Sequence, residues 1–266
     1  MKKCISNIAW DPNDNDSIVP LLKKYDIKNI EVAPKILFDN PLKVSKEQIL
    51  VVKEYWNNRG INIYGMQALL YGNPHLKIFD TTECRKETSR YLKEIINLAG
   101  QLGVKRMVFG SPRNRYRQNL KIDEAQEIAS KFFWDLSETC RKNDVILCLE
   151  PNAKGYGCNF INNTTQALDL IRCVDHDNFK LNMDTSTLIM NGENVTDCIV
   201  KAKDKISHFH ISYPNLLPIT NGTIDFSSLH TSLKKVGYDG AVSVEMRPTT
   251  KENIRSALHI LKKNFR

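Results

Sequence analysis

The chain has 266 residues, 41% hydrophobic and 26% charged, with a formal net charge of +8. That balance supports a sizeable core and excludes a disordered chain. No stretch approaches the roughly 18 apolar residues of a membrane span, and the apolar run behind Lys2 and Lys3 meets Asp11 too soon for a secretory signal.

In chain order, short β-like runs alternate with longer helix-like runs, eight times each. Strands are expected at residues 4–9, 29–32, 62–66, 106–109, 145–150, 180–184, 207–211 and 241–245, all short, apolar and often β-branched. The clearest helix is 82–102, where Tyr91, Leu92, Ile95, Ile96, Ala99 and Leu102 recur at helical spacing and Gly103 stops the run. Gly60 and Gly237 are similar stops, and 123–141 and 253–263 also read as helices. Strict alternation implies a parallel sheet. Eight units in this length favour a closed (β/α)8 barrel over an open doubly wound sheet, and no G-x-G-x-x-G follows the first strand. With no linker or shift in composition, residues 1–266 are expected to form one α/β barrel domain.

The lysine excess falls on helix-like segments, as at Lys23-Lys24, Lys234-Lys235 and Lys262-Lys263, which is the pattern of a solvated helix face. A nucleic-acid partner or a membrane is therefore not expected. Seven cysteines lie scattered without a C-x-x-C pair, which suits free thiols in a reducing compartment and a cytoplasmic protein.

Active sites of parallel barrels sit at the C-terminal ends of the strands. Here four successive strands end in metal-competent side chains: Leu149-Glu150, Met183-Asp184, Phe209-His210 and Val244-Glu245. Alternation along a strand places Glu245 with Ser243 and Ala241, opposite Val242 and Val244. The outer face packs on helices, so Glu245 is expected inside, as are Asp184 with Asn182 and His210 with His208. Like charges about 4 Å apart cost several kcal/mol at moderate dielectric. Three carboxylates at one mouth therefore need a cation or a proton. One divalent ion held by Glu150, Asp184, His210 and Glu245 meets that need, with Mn2+ favoured and Mg2+, Co2+ or Zn2+ compatible. The plainer reading, strand-end groups that cap helices or pair with lysines, suits one such residue better than four in a row.

With these residues in place, the sequence resembles the xylose-isomerase-like barrels of the sugar phosphate isomerase/epimerase group, which includes ketose 3-epimerases, hydroxypyruvate isomerases and inosose dehydratases. The likeness rests on His208-Phe209-His210-Ile211, Asn221-Gly222-Thr223-Ile224-Asp225-Phe226, Gly237-Tyr238-Asp239-Gly240 and Val244-Glu245. Glu150-Pro151, Asn182-Met183-Asp184-Thr185 and Asn159-Phe160-Ile161-Asn162 add to it. The resemblance implies the same four metal ligands, and Glu150 and Glu245 as an acid/base pair that moves a proton next to a carbonyl through a metal-stabilised enediolate. It implies a small sugar or sugar phosphate as substrate, and a homo-oligomer would be in keeping with the group. Thr187 stands where the family often has histidine, and Gly155-Tyr156-Gly157 where ketose epimerases place a substrate-binding glutamate.

Other candidates for substrate contact are Trp10 as an apolar wall at the end of the first strand, Gln67 after the third, Asn152 and Arg247. Arg247 is read either as facing substrate or as pairing with a ligand carboxylate. Arg113, Arg115 and Arg117, in the loop after the fourth strand, form either an anion grip or a solvated basic loop. His208 is expected as a satisfied core group. Competing functions are a dehydratase or lyase acting on an inosose-like substrate, a non-catalytic barrel, and a relative of abasic-site endonucleases. The last is disfavoured because strands two to four end without histidine.

Overall fold

Eight short strands rich in β-branched and apolar residues run β1 (Lys2–Ser6), β2 (Asn29–Val32), β3 (Asn62–Met66), β4 (Arg106–Phe109), β5 (Ile146–Leu149), β6 (Phe179–Asp184), β7 (Ile206–Ile211) and β8 (Ala241–Val244). In the computed structural model, which describes residues 1–219 and 224–265, each pairs in parallel with the next and β8 closes on β1. Asn221, Gly222 and Thr223 of the Asn221–Phe226 motif lie outside the described residues. The expected (β/α)8 barrel is the fold observed.

The first strand is shorter than expected. The Ser6 hydroxyl accepts a hydrogen bond from the Ile8 amide, and the chain leaves the sheet in a 3-10 turn, Asn7–Ala9. Trp10 therefore follows a turn and does not end a strand. It is buried in the core, with its indole N–H donated to Asn15 Oδ1 at 2.8 Å.

The helix Thr82–Leu102 has the bounds its periodicity predicts. The Thr81 hydroxyl caps its first turn through the Cys84 amide, and Gly103 ends it at φ +83°, a conformation that costs glycine little. The six apolar positions read from the sequence are all buried. After β6 the helical segment is split into Thr185–Asn191 and Val195–Ala202, with Gly192 at φ +64° between them.

Two layers of core result. Outside the barrel, Phe133 of the helix Ile122–Lys142 packs edge-on to Phe109 at 5.1 Å and stacks on Phe179 at 4.9 Å, joining that helix to β4 and β6. Inside the barrel, the layer beneath the mouth is polar: Glu31, Asn182, His208, His210 and Ser243 are all fully buried. Strand register shifts at Ile30/Glu31 and at Leu181/Asn182, where two of these side chains enter the interior. No helix among the described residues is long and apolar enough to cross a membrane. All seven cysteines are free thiols.

Phe133 has no room to be replaced by solvent. Phe133→Ala is expected to lower stability by about 3–5 kcal/mol, read from the shift of the urea unfolding midpoint.

Candidate functional site

Three strand ends converge on one imidazole. Glu150 leaves β5 with its amide bonded to the Phe109 carbonyl, and Glu245 leaves β8 with its amide bonded to the Ile211 carbonyl. His210 lies within β7, paired with Asp184 of β6 on one side and Ser243 of β8 on the other. His210 Nδ1 is 3.2 Å from Glu150 Oε2 and 3.3 Å from Glu245 Oε2, and it has no hydrogen-bond partner. Donor atoms of Glu150, His210 and Glu245 all lie within 4.8 Å of one another.

This spacing suits an ion. Ligands about 2.1 Å from a metal sit about 3.0–3.4 Å from their neighbours in octahedral or tetrahedral arrangements. A buried nitrogen without a hydrogen-bond partner, facing two carboxylates, is the donor set of a divalent cation site. Asp184 is not part of the 4.8 Å set. Its carboxylate caps the helix Thr185–Asn191 through the amides of Ser186 and Thr187, at 3.2 and 3.3 Å, and accepts the Ser212 hydroxyl.

The charges respond to this crowding. Burial, then the negative charges of Glu150 and Glu245, push Asp184 up to about 7. Burial also raises Glu245, and His210 offsets only part of that. Glu150 is likewise desolvated, yet the His210 contact and the Asn152 amide hold it below its ordinary value. For His210 itself, burial opposes the charged form, but Glu31 and Glu245 raise it well above the ordinary imidazole value.

Glu150 is held from both sides. Asn152 Nδ2 donates to its Oε1 and Asn182 Nδ2 to its Oε2, each at 2.7 Å. Gly110 leaves the space it needs, since a Cβ there would lie 3.0 Å from Glu150 Oε1. Asn152 is in turn fixed by Arg115, which donates to Asn152 Oδ1 at 2.9 Å and to the Ile161 carbonyl at 3.3 Å. Arg115 is fully buried. It is thus not solvated, and its contacts fix Asn152 beside Glu150. Arg117 is tied to the Asn159 and Leu120 carbonyls. Arg113 alone of the three is exposed, and it lines a cleft of about 240 Å³ with Ala68, Tyr71 and Ser111.

Gln67 is buried; its amide nitrogen donates to Ser6 Oγ at 2.8 Å, while its Oε1 has no partner. Arg247 is exposed and makes no ion pair with a described carboxylate, so the expected alternative of pairing with a ligand is not seen. Tyr156 carries a contact the sequence did not announce. Its hydroxyl bonds Ser186 Oγ and accepts the Asn215 amide at 2.9 Å, joining the loops after β5 and β7 to the helix after β6.

Glu31 of β2 also went unforeseen. It is fully buried beneath His210, with Oε2 3.0 Å from His210 Nε2 and Oε1 3.1 Å from His208 Nε2. The available signal was a lone carboxylate between Ile30 and Val32, on the strand face opposite those apolar residues. His208 is buried in the core as expected, with this carboxylate as its neighbour, but neither of its ring nitrogens has a hydrogen-bond partner, so it is not the satisfied group that was expected.

A family model described as xylose isomerase-like TIM barrel matches residues 19–264. The chain is 25% identical over 275 residues to the inosose isomerase of Bacillus velezensis, covering 97% of this chain and 94% of that protein. It is 27% identical over 113 residues to the D-psicose 3-epimerase of Enterocloster bolteae, which covers 42% of this chain and 36% of that protein. The chain thus matches little more than a third of the length of that relative. Among solved structures, the IOLI protein with a bound zinc atom superposes with a TM-score of 0.77 at 21% identity, over 100% of this chain and 99% of that one.

The two arginines predict opposite outcomes. Arg115→Ala leaves buried acceptors unpaired and is expected to cost about 2–5 kcal/mol. Arg113→Ala is expected to stay within about 0.5 kcal/mol of the parent. Urea denaturation of both variants is the check.

Proposed function

The chain belongs to the xylose isomerase-like TIM barrel family, and from that premise we propose that it is a divalent-metal-dependent isomerase or epimerase of a small sugar or sugar phosphate. The observation that carries this reading is His210 Nδ1, buried without a hydrogen bond and facing the Glu150 and Glu245 carboxylates. The full-length likeness to an inosose isomerase and the partial likeness to a ketose 3-epimerase support the reaction class.

Glu150, Asp184, His210 and Glu245 are the proposed ligands. Mn2+ is the favoured ion, and the zinc in the IOLI protein keeps Zn2+ in the set. When bound, the ion supplies Lewis-acid polarisation of the substrate carbonyl, which lowers the cost of removing the proton on the adjacent carbon. Glu150 and Glu245 do the proton work: one takes the proton beside the carbonyl, the other returns one to the opposite face or to the neighbouring carbon. Asn152 and Asn182 hold Glu150 in a fixed orientation for that step. Arg113, Arg247 and the unpartnered Gln67 Oε1 are the proposed substrate contacts. The barrel is proposed as one domain over residues 1–266.

Two measurements test this. Incubation with ketoses, ketose phosphates and inososes in deuterated solvent is expected to show metal-dependent exchange of one carbon-bound hydrogen, with Glu245→Gln slowing it by about 10²–10⁴-fold. No exchange with any of these substrates by metal-loaded protein would remove the proposal, and a product lighter by one water would move it to a dehydratase. The second is the pH dependence of metal affinity. A ligand whose proton affinity is raised must lose that proton to the ion, so Mn2+ binding is expected to tighten as pH rises through the value of about 7 held by Asp184. An increase of at least about fivefold from about pH 6 to about pH 8 is the expected calorimetric result. A flat profile would show that no ligand gives up a proton over that range and would count against a raised Asp184 carboxyl in the ligand set.

A further inference from the structure

Glu31 is fully buried inside the barrel, and the proposed chemistry does not use it. Its side chain is wholly buried, as are those of His208 and His210. A carboxylate taken out of water costs several kcal/mol unless partners replace the lost solvation. An apolar residue would fill β2 without that cost, so the presence of Glu31 calls for a reason beyond packing.

Its contacts supply one. Oε2 lies 3.0 Å from His210 Nε2 and accepts the Ser243 hydroxyl at 3.0 Å, while Oε1 lies 3.1 Å from His208 Nε2. His208 is braced on its other side by stacking on Tyr64, with ring centroids 6.2 Å apart. The backbone makes room: a Cβ on Gly65 would come 3.0 Å from Glu31 Oε1 and 3.1 Å from its Cγ. The register shift between β2 and β3 falls at the same residue.

An imidazole has two nitrogens, and a metal needs a lone pair on one of them. Fixing the proton on the other nitrogen determines which nitrogen that is and which way the ring faces. We propose that Glu31 is the positioning residue of His210: it accepts the Nε2 proton, so that the Nδ1 lone pair is turned toward Glu150 and Glu245, while the Ser243 hydroxyl holds Glu31 in that pose and His208 packs beside its other oxygen. The inference rests on His210 being a metal ligand. Beyond orienting the ring, a carboxylate behind it makes Nδ1 a more basic donor. The cluster Glu31, His208 and His210 also has the composition of an ion site of its own. That alternative would leave His210 bridging two cations, and it is distinguished by counting ions.

The test is titration of chelator-treated, metal-free protein with Mn2+ by calorimetry. One ion per chain is expected for the parent, with Glu31→Gln weakening binding by about 10–100-fold. His208→Gln and Ser243→Ala should weaken it in the same direction and by less. The melting temperature of each metal-free variant is recorded beside its affinity. A lower melting temperature in Glu31→Gln with Mn2+ affinity within about twofold of the parent overturns the proposal, because Glu31 then serves the fold alone. Two ions per parent chain also overturn it. Should Glu31→Gln fail to fold, the other two variants carry the test, and unchanged affinity in both is the overturning result. A parent chain that binds no Mn2+ removes the metal reading and this inference together; parent binding with an unaffected Glu31→Gln removes this inference alone.

Discussion

Negative charge is confined at one end of a closed barrel, and the imidazole of His210 stands among it. Glu31 lies behind the ring, Glu150 and Glu245 in front, and Asp184 is close enough to feel both front carboxylates. Without compensation such a group of anions would drive the strand ends apart or take up protons. The structure shows compensation at three of the four. Glu31 is hydrogen-bonded to His210 and Ser243. Asn152 and Asn182 donate to Glu150, and Asp184 accepts two helix amides and a hydroxyl. The front carboxylates retain unmet charge, and His210 Nδ1 faces it.

The barrel makes this crowding unavoidable. Parallel strands present alternate residues to the interior, and the strands are only four to six residues long. A polar side chain on the inner parity near a strand end has nowhere to go but the mouth. The apolar residues between them, such as Phe109 and Phe179, face the helices and close the outer layer around Phe133. One alternation therefore builds both the hydrophobic jacket and the polar mouth.

Much of this was legible in the sequence. The helix Thr82–Leu102 could be bounded because a capping threonine and a glycine stop mark its ends. The convergence of Glu150, His210 and Glu245 followed from their places at strand ends, with parity turning His210 and Glu245 inward. Part of what could not be read depended on contacts distant in sequence, and part on local side-chain-to-amide bonds. Glu31 sits one residue before the end of β2, and only the closed barrel brings it beneath His210, 179 residues away. Arg115 looked like one of three loop arginines until the loop folded back over Asn152 and Ile161. Ser6 ended the first strand through a local hydroxyl-to-amide bond that hydropathy does not register. Asp184 was foreseen at the rim, but its engagement with two helix amides required knowing that a helix begins at the next residue.

The phenol of Tyr156 has a consequence for how this mouth can breathe. One oxygen atom is shared by Ser186 and the Asn215 amide, so the segments that follow β5, β6 and β7 are stitched at a single point. Lifting any one of them breaks at least one of those bonds. Gly155 and Gly157 flank the tyrosine, and Gly157 sits at φ +75°, so the stitch is mounted on a supple segment. That quadrant of the rim is closed like a collar with one clasp, the Tyr156 hydroxyl.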